Sequence, residues 1–196
     1  MDRKFLPFVI LAFLPLLVFC SKKNQLTAFE ENGLYGYKDQ NGKVQISPQY
    51  SIAYDFNENG VGFSFSKDGW VCIDPQNKVL LKVFPFDNGP DYFSEGLARF
   101  VEGSKFGFFD ASCKKVILAN YDFAFPILHG FSLACNGCGS ESDGEHSTIH
   151  GGKYGLIDKT GKVIVPIEYD FISEINPETK TVEVSKGNTK KQINLP

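Results

Sequence analysis

The stretch Gly152-Lys153-Tyr154-Gly155-Leu156-Ile157-Asp158-Lys159-Thr160-Gly161-Lys162-Val163-Ile164-Val165-Pro166-Ile167-Glu168-Tyr169-Asp170-Phe171 decides the fold. Two short β-prone runs, Tyr154 to Ile157 and Val163 to Val165, flank a turn written out in full. Asp158 can accept hydrogen bonds from backbone N–H groups two or three residues on, and Gly161 can take the positive φ that closes a three-residue hairpin. The stretch is a β-hairpin.

Weaker copies lie upstream. An Asp followed four residues later by Lys occurs as Asp39/Lys43, Asp74/Lys78, Asp110/Lys114 and Asp158/Lys162, at intervals of 35, 36 and 48 residues. Such a period marks a repeat architecture, and the longer last interval holds an insertion. Gly42 and Gly161 fill the positive-φ slot, as does Asn77, whereas Cys113 in the third copy predicts strain or an altered turn. A third strand precedes each hairpin: Leu26 to Phe29, Val61 to Phe65, Gly96 to Val101 and Gly130 to Ala134. The unit is thus a three-stranded antiparallel meander joined to the next by an aromatic link such as Tyr121 to Ala124, and one meander alone cannot bury its apolar face. Units run over about 25–56, 57–93, 94–127 and 128–172, with a partial fifth at 173–196 and the insertion at 136–151. The expected fold is all-β: tandem antiparallel meanders in a curved, solenoid-like or propeller-like array.

Gly152 to Asp158, Lys159 to Lys162, the Tyr169-Asp170 pair and Phe93-Ser94-Glu95-Gly96-Leu97-Ala98 together resemble the WG-repeat, or KWG, proteins of bacteria over about residues 25 to 187. The Trp-Gly pair itself is nowhere intact: copies one and four have Tyr-Gly, copy three Phe-Gly, and copy two Trp70-Val71. The resemblance implies an all-β repeat domain, often exported or lipid-anchored, with no shared catalytic residues and no agreed ligand.

The N-terminus supports an exported protein. Basic Arg3-Lys4 precedes an apolar run from Phe5 to Phe19, too short for a bilayer span and typical of a signal peptide. Cys20 directly after it resembles the lipobox cysteine of bacterial lipoproteins, although Phe19 replaces the usual small residue. The reading is a signal peptide at 1–19, a tether at 20–24 with lipidated Cys20, and the β domain at 25–196; ordinary secretion is the alternative. The formal net charge of −3 offers no basic patch for nucleic acid.

The insertion is the chemically conspicuous segment. Cys135, Cys138, His146 and His150 form a C-x2-C-x7-H-x3-H spacing that could hold zinc, while an oxidising compartment favours a Cys135–Cys138 disulfide and a plain polar loop remains the third reading. Cys72 is expected to be a free buried thiol and Cys113 incidental, with their pairing as the alternative. Asp39, Asp74, Asp110 and Asp158 lack the neighbouring carboxylates of a calcium loop and read as turn caps. His129 stands alone, and Tyr92 and Phe93 are candidates for an exposed binding face. No nucleophile elbow, phosphate loop or paired-carboxylate frame is written in the sequence. The expected protein is a non-enzymatic binding or scaffold module at the cell envelope, anchored to the membrane by lipid and meeting a protein or envelope polymer; a zinc-binding lipoprotein is the alternative.

Overall fold

A computed structural model describes residues 25–142 and 147–196. All regular elements among them are β-strands, paired antiparallel. The first unit comprises β1 (Thr27–Glu31), β2 (Leu34–Lys38) and β3 (Val44–Tyr50). The chain then kinks at Ser51 and continues as β4 (Ile52–Ala53), the edge strand of a sheet that goes on through β5 (Gly62–Ser66), β6 (Gly69–Ile73) and β7 (Val79–Val83). A two-rung hairpin follows, β8 (Pro85–Phe86) with β9 (Gly89–Pro90), then β10 (Ala98–Glu102), β11 (Lys105–Phe109) and β12 (Lys115–Tyr121). The fourth unit is β13 (Phe123–Ala124), β14 (Phe131–Ser142), β15 (Ser147–Asp158) and β16 (Val163–Tyr169); the fifth is β17 (Phe171–Ile172), β18 (Thr181–Lys186) and β19 (Thr189–Asn194).

The aromatic links are therefore strands. Past its kink, the third strand of one unit becomes the edge strand of the next, held by Ser51 N to Phe65 O (3.0 Å), Asp122 N to Cys135 O (3.0 Å) and Asp170 N to Ser185 O (2.8 Å). Side chains follow the same logic, because successive residues of a strand point to opposite faces. On β6, Val71 and Ile73 join a cluster with Tyr37, Ile46 and Tyr50 of the first unit, while Trp70 and Cys72 join one with Phe100 and Phe109 of the third. On β11 and β15 the pairs Phe108/Phe109 and Leu156/Ile157 divide in the same way between preceding and following clusters. Each fully buried aromatic or aliphatic side chain contributes about 1.5–3 kcal/mol, so the stabilisation lies at the seams between units.

The four Asp turns share one hydrogen-bond pattern. Oδ1 of Asp39, Asp74, Asp110 and Asp158 accepts from the N–H two residues on (2.8, 2.9, 2.9 and 2.8 Å) and four residues on (3.0, 2.9, 3.0 and 3.0 Å). The N–H three residues on bonds the Asp carbonyl instead, which is why the side chain skips it. That third residue has positive φ in every copy: Gly42 at 80°, Asn77 at 65°, Cys113 at 57° and Gly161 at 86°. Cys113 thus keeps the turn and takes the strained backbone. Its sulfur is bonded to Cys72 across 41 residues, correcting the expectation of a free Cys72 and an incidental Cys113. By closing so long a loop this disulfide constrains the unfolded chain by about 4 kcal/mol. Cys113 is fixed by two ties, the cross-link and its N–H donated to the Asp110 carbonyl at 2.8 Å, and the Asp110 carboxylate holds the N–H groups on either side.

One glycine contact sets the path of the third strand in the first, third and fourth units. In the first unit Tyr35 pairs with Tyr50 and Tyr37 with Ile46, so Gly36 alone opposes Ser47, Pro48 and Gln49. The same one-against-three arch occurs at Gly107 and at Gly155. A Cβ on Gly36 would stand 2.5 Å from Ile46 O, on Gly107 2.5 Å from Ile117 O, and on Gly155 2.6 Å from Val165 O. Only glycine lets the backbones approach this closely. Pro48 and Pro166 lie within such arches, where the strand needs no donor. In the second unit Val71 takes the glycine position, and the arch is absent: Val71 pairs with Lys82 and Cys72 with Leu81 in straight register. Strand β7 consequently does not bend into a new sheet. It pairs instead with β10 through Val83–Phe100 and Lys82–Val101, fusing two units into one seven-stranded sheet.

Gly107→Ala forces a methyl group against backbone atoms and the Phe100 ring. It is expected to cost about 2–3 kcal/mol and lower Tm by roughly 5–10 °C, read by urea and thermal unfolding. An unchanged midpoint would contradict the arch.

Candidate functional site

Residues 136–142 and 147–151 of the insertion are paired strands, so its described part is a β-arm. Elsewhere the first two strands of a unit meet in a two-residue turn, such as Asn32-Gly33 between β1 and β2; in the fourth unit both strands run on, pairing Cys138 with Gly151, Gly139 with His150, Ser140 with Ile149 and Glu141 with Thr148. The alternation of Thr148, Ile149 and His150 is the sequence signal for this extension. At the base of the arm Gly137 and Gly152 drop out of register, each with φ of 73°. A Cβ on Gly152 would collide with Asn136 and Cys138 backbone, so the arm kinks on a glycine contact of its own.

The arm borders a cleft of about 910 Å³. Its apolar walls are Phe84, Phe86, Phe106 and Phe123, and the arm contributes Ser140 and Ile149. Three of the four rings brace one another, Phe84 lying 4.9 Å edge-on to Phe106 and Phe106 4.7 Å from Phe123, while Phe86 meets Tyr92 at 5.5 Å. Three of them surround Arg99, whose guanidinium sits 4.6 Å from the Phe84 centroid and 5.8 Å from those of Phe86 and Phe123. Arg99 is buried with Asp91, each with a side chain only 3 % exposed. Asp91 accepts from Arg99 Nη2 (2.6 Å), Nε (2.9 Å) and backbone N (2.8 Å), and Arg99 Nη1 donates to Ala124 O (3.2 Å). A buried charge pair is tolerated only when so fully bonded, and removing one partner of such a pair typically costs 3–5 kcal/mol. The pair fixes the cleft floor.

Asp122, also in the cleft wall, ties the arm to the third unit: Lys105 Nζ donates to it at 2.6 Å and Gly137 N at 2.7 Å. Asp170 repeats the device one unit later with Lys153 and with Gly187 N (2.7 Å). The Lys105 ammonium and then the Gly137 N–H hold the Asp122 carboxyl below its ordinary range, and Lys153 and Gly187 do the same for Asp170. The Tyr-Asp pairs of the sequence are thus sheet-switch residues.

The residues singled out in the sequence fall in different places. Cys135 and Cys138 are bonded to each other across the arm's kink, Cys135 buried and Cys138 at the cleft wall. A disulfide sulfur is not the thiolate that zinc requires. His150 is exposed on β15 opposite Gly139, and His146 lies outside the described residues, as does Cys20. Among the described residues no group of three or more His, Cys, Asp or Glu is placed to hold a metal ion. His129 occupies a tight turn with φ of 53° beside Gly130. Asp39, Asp74, Asp110 and Asp158 are turn caps, and the Thr160 hydroxyl, with the N–H groups of Thr160 and Lys162, lowers the Asp158 pKa. The sequence reading missed Asp91 and Arg99; their signal was an Arg inside an otherwise apolar strand segment, Leu97 to Val101.

Comparison with known families adds one match: a model of the WG containing repeat matches residues 35–69 and 154–177. Over those two segments the chain is similar to that repeat. The matched segments include the glycine arches at Gly36 and Gly155, and the second segment begins two residues after the arm's Gly152. No curated protein matches the chain. In the two matched segments the glycine is the residue under the arch, so Trp70-Val71 in the second unit is the departure with structural consequences.

Acid tests the Asp ties. Because the folded pKa of Asp122 is depressed, its stabilisation is fully present above the unfolded value near 3.9 and is lost as pH falls through the folded value. Urea midpoints should therefore fall from about pH 5 downward, and Asp122→Asn should lose less between pH 5 and 3 than the wild type. Parallel curves would remove Asp122 from the acid limb.

Proposed function

We propose that the protein is an exported, lipid-anchored, non-enzymatic binding module of the cell envelope, its repeats forming an open, solenoid-like array. The aromatic cleft beside the arm carries this reading. It is concave, apolar-walled and provided with a few fixed polar groups, the usual character of a binding site. The arm belongs to one unit alone, so the cleft distinguishes this position in an otherwise repetitive surface. The serial order of the hydrophobic clusters, with the first and fifth units sharing none, favours a solenoid over a closed propeller. The signal-like leader ending at Cys20 supports lipid attachment, and two disulfides suit an oxidising compartment. The ligand is a protein segment or an envelope polymer that covers the aromatic wall.

Mass spectrometry of the mature chain should find Cys20 first and acylated, no free thiol among Cys72, Cys113, Cys135 and Cys138, and no stoichiometric zinc. Capture from an envelope fraction should yield a partner that is lost with Phe86→Ala, a half-exposed position whose truncation leaves the urea midpoint nearly unchanged. An unmodified N-terminus sinks the anchor, and capture indifferent to Phe86→Ala sinks the cleft. Bound zinc with two free thiols would establish the metal-binding alternative at Cys135, Cys138, His146 and His150.

A further inference from the structure

The β8–β9 hairpin borders a second cavity, of about 430 Å³, that shares only Asp87 with the cleft beside the arm. Four aromatic residues line it: Tyr54, Phe63, Tyr92 and Phe93. Three of these rings are unusually open for their size, with Tyr54 49 %, Tyr92 59 % and Phe93 41 % exposed. Each is nonetheless held by a neighbouring ring. Tyr54 lies parallel to Trp70, 5.5 Å away at 4°; Tyr92 meets Phe86 edge-on at 5.5 Å; Phe93 meets Phe109 edge-on at 5.5 Å. Rigid, open aromatic rings around a hollow are built for a ligand more than for the fold.

The charge of the hollow points to the kind of ligand. Asp91 at its base is consumed by Arg99, whereas Asp87 makes no ion pair among the described residues and has one long contact, from the Tyr92 hydroxyl at 3.4 Å. Asp87 and Asn88 both have positive φ, 47° and 61°, in the tight turn between Pro85 and Pro90, so the carboxylate is held at the rim by a short, stiff hairpin. Its charge raises the pKa of the Tyr92 hydroxyl, a sign of the negative field there. Aromatic faces are also negative. A primary ammonium is strongly hydrated, but a quaternary ammonium presents an apolar surface around its charge and suits aromatic walls with one carboxylate. A neutral sugar would use the rings and leave the charge of Asp87 without a role.

We propose that the cavity formed by Tyr54, Phe63, Tyr92 and Phe93 beside Asp87 binds an organic cation carrying a quaternary ammonium group, of the choline type. It meets the cleft beside the arm at Asp87 and through Phe86, which braces Tyr92, while its four aromatic lining residues are its own.

Trp70 is the sole tryptophan and touches the site through Tyr54, so its fluorescence reports binding directly. Titration of the full chain with choline chloride at constant ionic strength should give a saturable change in Trp70 emission. The uncharged tert-butyl analogue of choline should bind at least about tenfold more weakly, and Asp87→Asn and Tyr92→Ala should each weaken choline about tenfold while leaving the urea midpoint within error. Equal response to choline and its neutral analogue, wild-type affinity in Asp87→Asn, or no saturation would each overturn the proposal. Phosphatidylcholine vesicles separate the sources of the group: Asp87-dependent vesicle binding assigns a lipid headgroup, and Asp87-dependent choline binding without it assigns a soluble ligand. Either supports the site.

Discussion

Gly36, Gly107 and Gly155 each lie beneath a strand whose backbone passes so close that a Cβ would stand within about 2.6 Å of a carbonyl oxygen. That approach lets three residues of one strand arch over a single residue of its neighbour. The arch turns the strand, and the turned end becomes the edge of the next sheet. Stacking of sheets at three of the unit boundaries and the Asp122 and Asp170 ties depend on this bend. A methyl group at the crossing would displace backbone, not a flexible side chain, so little could relax around it.

Where Val71 replaces the glycine, the consequences extend beyond one strand. Strand β7 stays straight and takes β10 as its neighbour, and the chain must return through the extra hairpin that carries Phe84, Phe86 and Asp87. Phe84 and Phe86 wall the cleft beside the arm, and Asp87 borders both cavities. The Asp91–Arg99 pair lies beside the same fused region, packed among rings, where it is safe only while every strong donor and acceptor is met. Valine at the glycine position and the shaped surface therefore occur in the same unit. Cys72, next to Val71, joins the third unit's turn to the second unit's middle strand and reinforces the fusion.

Much of this was legible in the sequence because it is local. The strands, the Asp turns, the positive-φ slot and the partial fifth unit follow from period-two patterning and turn chemistry near the residues concerned. The sheet order was not legible, since it depends on what a third strand does several residues beyond its turn, and only the contrast between Tyr-Gly, Phe-Gly and Trp70-Val71 hinted at it. The course of the arm was not legible, since zinc site, disulfide and plain polar loop all fit its Cys and His spacing, and only the paired positive-φ glycines Gly137 and Gly152 form the kink that lets two strands continue. Cys72 and Cys113 were separated by 41 residues, and nothing short of the fused sheet brings them together. Of the cleft, the sequence reading placed the insertion but not the Phe wall, whose members come from three different strands and links.

Strand register distinguishes an arch from a straight ladder, and cross-strand nuclear Overhauser contacts read it directly. The arch predicts Hα or amide contacts joining Phe106 to Tyr121 and Phe108 to Ile117, with Gly107 opposite three residues. In the second unit it predicts an uninterrupted Val71–Lys82 and Cys72–Leu81 ladder, together with Val83 against Phe100. An arch over Val71, or a β7 without contact to β10, would contradict the claim that the glycine decides where one sheet ends and the next begins.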